Sequence, residues 1–150
     1  MPEDTWVTAS KADSKDSVYN LLESDNLEKN KWLAKKVNEE EPEGKAWVRF
    51  DFGSRDIPES RVVTGVSIKS SQHYHKDPVS VRIWYYDSEG EVWEKLDPID
   101  LAWEVGARYT ELKFELQKGG SRFAPETTSM KFEFTAKDDP QKERQDIAVQ

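Results

Sequence analysis

The sequence predicts an all-β protein, an antiparallel β-sandwich of about eight short strands. Two observations predict it. Apolar and polar residues alternate with a period of two in one stretch after another, the pattern of strands that rest one face on a core. Turn residues separate these stretches at short intervals, and no stretch keeps the longer period of an amphipathic helix.

The elements follow in order. Thr5–Ser10 reads as a first strand. A polar stretch leads to Val18-Tyr-Asn-Leu-Leu22, which is too short for a stable free helix and predicts a single turn. Trp32-Leu33 anchors the chain again before an acidic turn over Asn38–Gly44. In Ala46–Phe52 one face carries Ala46, Val48, Phe50 and Phe52. Gly53–Ser60 is a turn containing Pro58, and Val62–Ile68 is expected as one strand with Val62, Val66 and Ile68 on one face. Beyond a loop at 70–77, Val79, Val81, Ile83 and Tyr85 are expected to point inward, and Ser80, Arg82 and Trp84 outward.

Asp87-Ser-Glu-Gly90 is a hairpin turn in which Gly90 is expected to take the backbone angle that other residues resist. Glu91–Leu96 is the return strand, and Pro98–Gly106 a connection. Leu112, Phe114 and Leu116 alternate with charged residues, and Lys118-Gly-Gly-Ser121 breaks that strand. Met130, Phe132, Phe134 and Ala136 mark another strand, with Lys131, Glu133 and Thr135 on its outer face, and Ile147-Ala-Val149 is a last short one. No internal repeat or second domain is visible, so residues 1–150 are expected to form one domain.

Composition narrows the function classes. Hydrophobic and charged residues each make up 35% of the chain, yet it holds 6 Trp, 5 Tyr and 6 Phe, which argues for a compact aromatic core under a charged exterior. The formal net charge of -8 repels phosphate backbones and anionic membranes, so neither nucleic acid nor membrane is an expected partner. The one local basic cluster, Lys29, Lys31, Lys35 and Lys36 beside Trp32, runs straight into Glu39, Glu40 and Glu41 and reads as solvated charge. With 0 cysteines there are no disulfides, thiol nucleophiles or Cys-ligated zinc. The first residues show no basic region followed by an apolar run, and no stretch reaches membrane-spanning length. A cytoplasmic or nuclear protein, acting as a monomer, is the expectation.

Enzyme readings find little support. Ser70 and Ser71 lie near His73 in sequence, but neighbours along an extended chain make poor triad geometry. No glycine-rich phosphate cradle is present, and no resemblance to glycosidases stands behind any carboxylate pair.

The order of elements resembles the discoidin, or coagulation-factor type C, domain, a jelly roll of the galactose-binding-like superfamily. Several segments carry the resemblance: Val18-Tyr-Asn-Leu-Leu22 followed by Trp32, Trp47-Val-Arg-Phe-Asp-Phe-Gly53, Val66-Ser-Ile68, Asp77-Pro-Val-Ser-Val-Arg-Ile83, the hairpin from Asp87 to Leu96, Arg122-Phe123, Met130–Phe134 and Ile147. Extracellular members usually pin their termini with a disulfide, which this chain cannot form, and the spacing from Asn20 to Trp47 differs from that of the tightest sugar binders. The resemblance implies a non-catalytic binding module. Carbohydrate is the family's usual small ligand, and assembly with a protein partner is the role of its intracellular members.

The candidate sites follow from the chemistry such ligands need. A sugar needs a flat apolar face for its ring and planar polar groups for its hydroxyls. The loop Ser70–Asp77 holds both histidines of the chain, so His73, Tyr74 and His75 are candidate ligand-binding residues, with Arg122 and Phe123 expected nearby. His73 and His75 could also share a metal, but a zinc site needs a third protein ligand and no carboxylate has that spacing. Otherwise the segment is an ordinary polar loop. No cofactor is expected except structural calcium: the resemblance offers Glu23, Asp25 and Asn26 as its ligands, against the plainer reading of a polar loop. Trp47 and Trp84 fall on the face opposite Phe50 and Val81 and are candidates for a protein interface, unless another segment covers them.

Overall fold

The computed structural model describes residues 5–10, 32–34, 45–53, 56–69, 78–103, 111–116, 125–136 and 147–149, and every regular element among them is a strand. In chain order these are β1 (Thr5–Ala9), β2 (Trp32–Ala34), β3 (Lys45–Phe52), β4 (Arg61–Val62), β5 (Gly65–Lys69) and β6 (Ser80–Asp87). They continue with β7 (Val92–Lys95), β8 (Ile99–Asp100), β9 (Glu111–Glu115), β10 (Glu126–Thr127), β11 (Ser129–Thr135) and β12 (Ile147–Val149).

The long alternating stretches build one main sheet, β1-β3-β11-β6-β7, with β8 joining the start of β6; all its pairings are antiparallel. Its register aligns the apolar residues of each strand across one face. Ala9, Val48, Phe132 and Ile83 lie opposite one another in turn, as do Val7, Phe50, Met130 and Tyr85. Ala46, Phe134 and Val81 form the next row. Residues paired this way point to the same side and pack together. The rings of Phe50 and Phe132 meet edge to face at 5.6 Å.

A second layer closes over this face. β5 pairs antiparallel with β9, placing Val66 beside Phe114 and Ile68 beside Leu112, and these side chains pack on the core with Leu101 and Leu116. The result is an antiparallel β-sandwich, with Val7, Val48, Val81, Ile83 and Met130 fully sealed at its centre. β4 pairs with β10, and β2 with β12.

The structure departs from the sequence reading in local ways, each with a physical cause. Val62–Ile68 is not one strand. β4 belongs with β10, Val63 N–H donates to Pro125 O, and β5 then joins β9. Changing partners at Val63–Thr64 shifts the alternation by one, so Val63 packs on the core while Val62 is 59% exposed. Gly65 sits where a Cβ would lie 2.9 Å from Phe114 O, which explains a glycine at the crossing. Val79 lies just before β6 and is exposed rather than inward. The connection after Leu96 contains β8, and Trp103 beyond it donates its indole N–H to Pro78 O at 2.8 Å.

The hairpin turn also differs. Asp87 pairs with Val92, so the loop spans residues 88–91, and the positive φ falls on Glu91 (54°) rather than on Gly90. Asp87 Oδ1 accepts from the N–H groups of Glu89 and Gly90, at 3.1 and 3.4 Å, and so shapes the turn from its first side. Strands beyond the expected eight arise from pairings too short to leave a period-two signature, notably the two-residue β4, β8 and β10.

Candidate functional site

Side chains that alternate with the core residues emerge on the outer face of the main sheet. Register sets them in rows. Thr8, Arg49, Lys131, Trp84 and Lys95 face one another across the strands, and Ser10 N–H caps the row of Trp47, Glu133 and Arg82 by donating to Trp47 O at 3.0 Å. Trp6, Asp51 and Ser129 begin a further row that Tyr86 and Trp93 complete.

The aromatics on this face are tied to cations. The Lys131 ammonium lies over three indole rings, 5.1 Å from the centre of Trp84, 5.5 Å from Trp93 and 5.9 Å from Trp47. The Arg49 guanidinium stands 5.0 Å over Trp93, and Lys95 is 5.8 Å from Trp84. Tyr86 and Trp93 meet at 5.6 Å with their planes inclined at 64°. What the rings of Trp47 and Trp84 present is therefore an aromatic platform carrying positive charge, not a bare apolar patch. Among the described residues the buried Trp84 indole nitrogen has no hydrogen-bond acceptor.

At one end of the face is a concavity of about 500 Å³, whose walls include Trp6, Thr8, Phe52, Pro58, Tyr86 and Trp93. Arg49, Asp51, Thr128 and Ser129 supply its polar groups. The turn after β3 forms one wall: Gly53, with φ of 82°, bridges to Pro58, and a Cβ on it would lie 2.5 Å from Ile57 O. Arg49 grips one carboxylate oxygen, Asp51 Oδ1, from Nε at 3.0 Å and from Nη2 at 2.9 Å. Ser129 Oγ donates to the same oxygen at 2.5 Å. Among the described residues Asp51 Oδ2 and Arg49 Nη1 are unengaged, so the residues lining the aromatic hollow include one acceptor and one donor without a partner there.

The charge on this face is opposite in sign to that of the whole chain. Lys45, Arg49, Arg82, Lys95 and Lys131 share it with Asp51, Asp100 and Glu133. Two of these carboxylates are paired, Asp51 with Arg49 and Glu133 with Lys45 at 3.9 Å. Among the described residues no carboxylate pairs with Arg82, Lys95 or Lys131.

Trp47 and Trp84 are thus brought together on this face. The loop residues His73, Tyr74 and His75, the pair Arg122 and Phe123, and the calcium candidates Glu23, Asp25 and Asn26 all lie outside the described residues. Sequence reasoning missed Trp6, Arg49, Asp51, Trp93 and the central place of Lys131. Alternation alone puts Lys131 on an outer face; only the register of β11 between β3 and β6 puts it among three tryptophans.

No family model matches the chain, and no curated protein matches it in sequence. Solved structures do. The family 32 CBM from Clostridium perfringens NanJ, solved in complex with galactose, superposes with a TM-score of 0.67, covering 97% of this chain and 88% of that one at 10% identity. A structure of the Streptococcus pneumoniae beta-galactosidase BgaA gives a TM-score of 0.68 at 15% identity, over 97% of this chain and 87% of the other. The chain has the galactose-binding-like fold. A Streptococcus pneumoniae fucose binding module, SpX-3, shares this galactose-binding-like architecture with a TM-score of 0.59 at 7% identity, over 97% of this chain and 88% of that one. At these identities the likeness is one of fold.

Proposed function

We propose that the chain is a non-catalytic carbohydrate-binding module that holds its sugar in loops at one end of the sandwich. One observation carries this reading. The galactose-binding-like fold is shared over 97% of the chain with modules solved in complex with galactose and with GalNAc-beta-1,3-galactose. A fold does not fix a function, so the loop side chains must supply the site. His73, Tyr74 and His75 are the residues we assign to it. Arg122 and Phe123 are not included, because the segment that holds them runs between Leu116, bonded to Thr64, and Pro125, bonded to Val63, at the other end of β5 from Lys69. The Tyr74 ring would take the apolar face of the sugar, and the imidazoles would bond its hydroxyls.

Amide NMR titration of the whole chain with galactose, fucose and GalNAc-beta-1,3-galactose tests this. Saturable shifts at residues 70–77 are expected, and His73→Ala should weaken binding about tenfold while leaving the spectrum of the sheet intact. Silence of the loop toward all three sugars at millimolar concentration would overturn the assignment.

A further inference from the structure

We propose that the outer face of the main sheet is a second binding site, for an acidic glycan in which a neutral sugar is joined to a carboxylated one. It does not rest on the loop-end reading. The concavity fits the neutral unit. Its volume of about 500 Å³ lies within the range of small-ligand sites. Its walls are aromatic, as stacking on a sugar ring requires, with Trp6, Tyr86 and Trp93 all on the same side of the sheet. Its lining residues include Asp51, whose Oδ2 is an acceptor unengaged among the described residues, and Arg49, whose Nη1 is a donor likewise unengaged, and neighbouring hydroxyls of a sugar offer both complements.

The charge pattern selects the second unit. Lys131 is two residues beyond Ser129 on β11, on the same face, and its ammonium lies 5.5 Å from the Trp93 ring that walls the concavity. Lys95 and Arg82 are placed beyond it by the register of β6. A sugar leaving the concavity along this line passes over Trp84 and meets cations with no carboxylate partner among the described residues. In a chain of net charge -8 such a group of cations complements an anion on the ligand. Aromatic and basic faces also suit single-stranded nucleic acid. Two features favour the glycan: Asp51 in the hollow repels phosphate, and the net charge of -8 penalises a strand charged at every residue.

The test follows the indole and backbone N–H signals of the whole chain by NMR. The probes are a hyaluronan tetrasaccharide, which alternates glucuronate with N-acetylglucosamine, neutral chitotetraose and a short oligo-dT. Hyaluronan is expected to give saturable shifts at Trp6 and Trp93, with affinity falling as salt is raised. Lys131→Gln, which keeps the side-chain stem between the rings, should weaken it about tenfold. The same variant should leave loop-end sugar binding unchanged, and His73→Ala should leave hyaluronan binding unchanged. This separates failure at one site from failure at the other. The proposal is overturned if hyaluronan leaves Trp6 and Trp93 unmoved, if chitotetraose binds there equally well and Lys131→Gln changes nothing, or if oligo-dT binds those tryptophans more tightly.

Discussion

The same strands β3, β11 and β6 present two surfaces that could hardly differ more. On the inner side Val48, Phe132 and Ile83 face one another in a row, and Val48 and Ile83 are sealed from solvent. One residue along, on the outer side, Arg49, Lys131 and Trp84 form the next row, each half-buried and linked through cation–ring contacts. The inner row is what a core needs: branched aliphatic and aromatic groups with no polar atom to satisfy. The outer row gains little for folding. Indoles are kept partly wet among charges, and Lys131 has no carboxylate partner among the described residues, an arrangement suited to a ligand. The difference teaches that a pleated strand can serve stability and recognition at once, because its two sides are independent.

The sharpest way to break the comparison is from the inside. Ile83→Ala empties the centre of the sandwich at a site with 0% exposure and should cost about 3 kcal/mol, read as a lower urea midpoint with an unchanged slope. A cost under about 1 kcal/mol would mean that the inner face is not the close-packed core described above. A smaller loss is expected where β10 meets β6. Thr127 is buried, and its Oγ1 accepts from the N–H groups of Tyr86 at 3.0 Å and Ser129 at 3.2 Å, filling the place where a ladder bond would be. Thr127→Val keeps the shape and strands both donors, so stability should fall by about 2 kcal/mol in the same denaturation experiment. Amide exchange at Tyr86 should quicken at the same time.

How much of this was legible in the sequence depends on what each feature rests on. Strands β3, β6 and β11 announce themselves because burial on one side forces the alternation of Ala46–Phe52, Val81–Tyr85 and Met130–Ala136. The two-residue β4 and β10 leave no periodic trace, and the change of partner at Val63–Thr64 is a tertiary event that no local pattern records. The same holds for the outer face. Its composition was visible in Trp47 and Trp84, but the meeting of Trp93, Arg49 and Lys131 depends on which strand lies beside which, and contacts between β3 and β11 span most of the chain.

The hairpin that carries Trp93 offers a third test, with the opposite sign. Glu91 holds φ of 54° on an exposed loop, a conformation that costs an ordinary side chain about 1 kcal/mol relative to glycine. Glu91→Gly should therefore stabilise the domain by about 0.5 kcal/mol, seen as a rise in Tm of a few degrees. A loss of stability would show that Glu91 contributes something to the turn beyond its backbone angle.

The smallest effect is expected at the centre of the outer face, and it decides what that face is for. Lys131→Met keeps an unbranched stem across the rings of Trp47, Trp84 and Trp93 and removes only the ammonium. A partly exposed cation–ring contact contributes about 0.5–1 kcal/mol, and the thioether recovers part of that through its own ring contacts, so the urea midpoint should hardly move. If instead Lys131→Met costs as much as Ile83→Ala, the ammonium is a structural keystone and the outer face is a second core layer, closed to ligands. An unchanged midpoint would leave the strands with two faces of different purpose. The charge of Lys131, without a carboxylate partner among the described residues, would then act on whatever settles over the tryptophans.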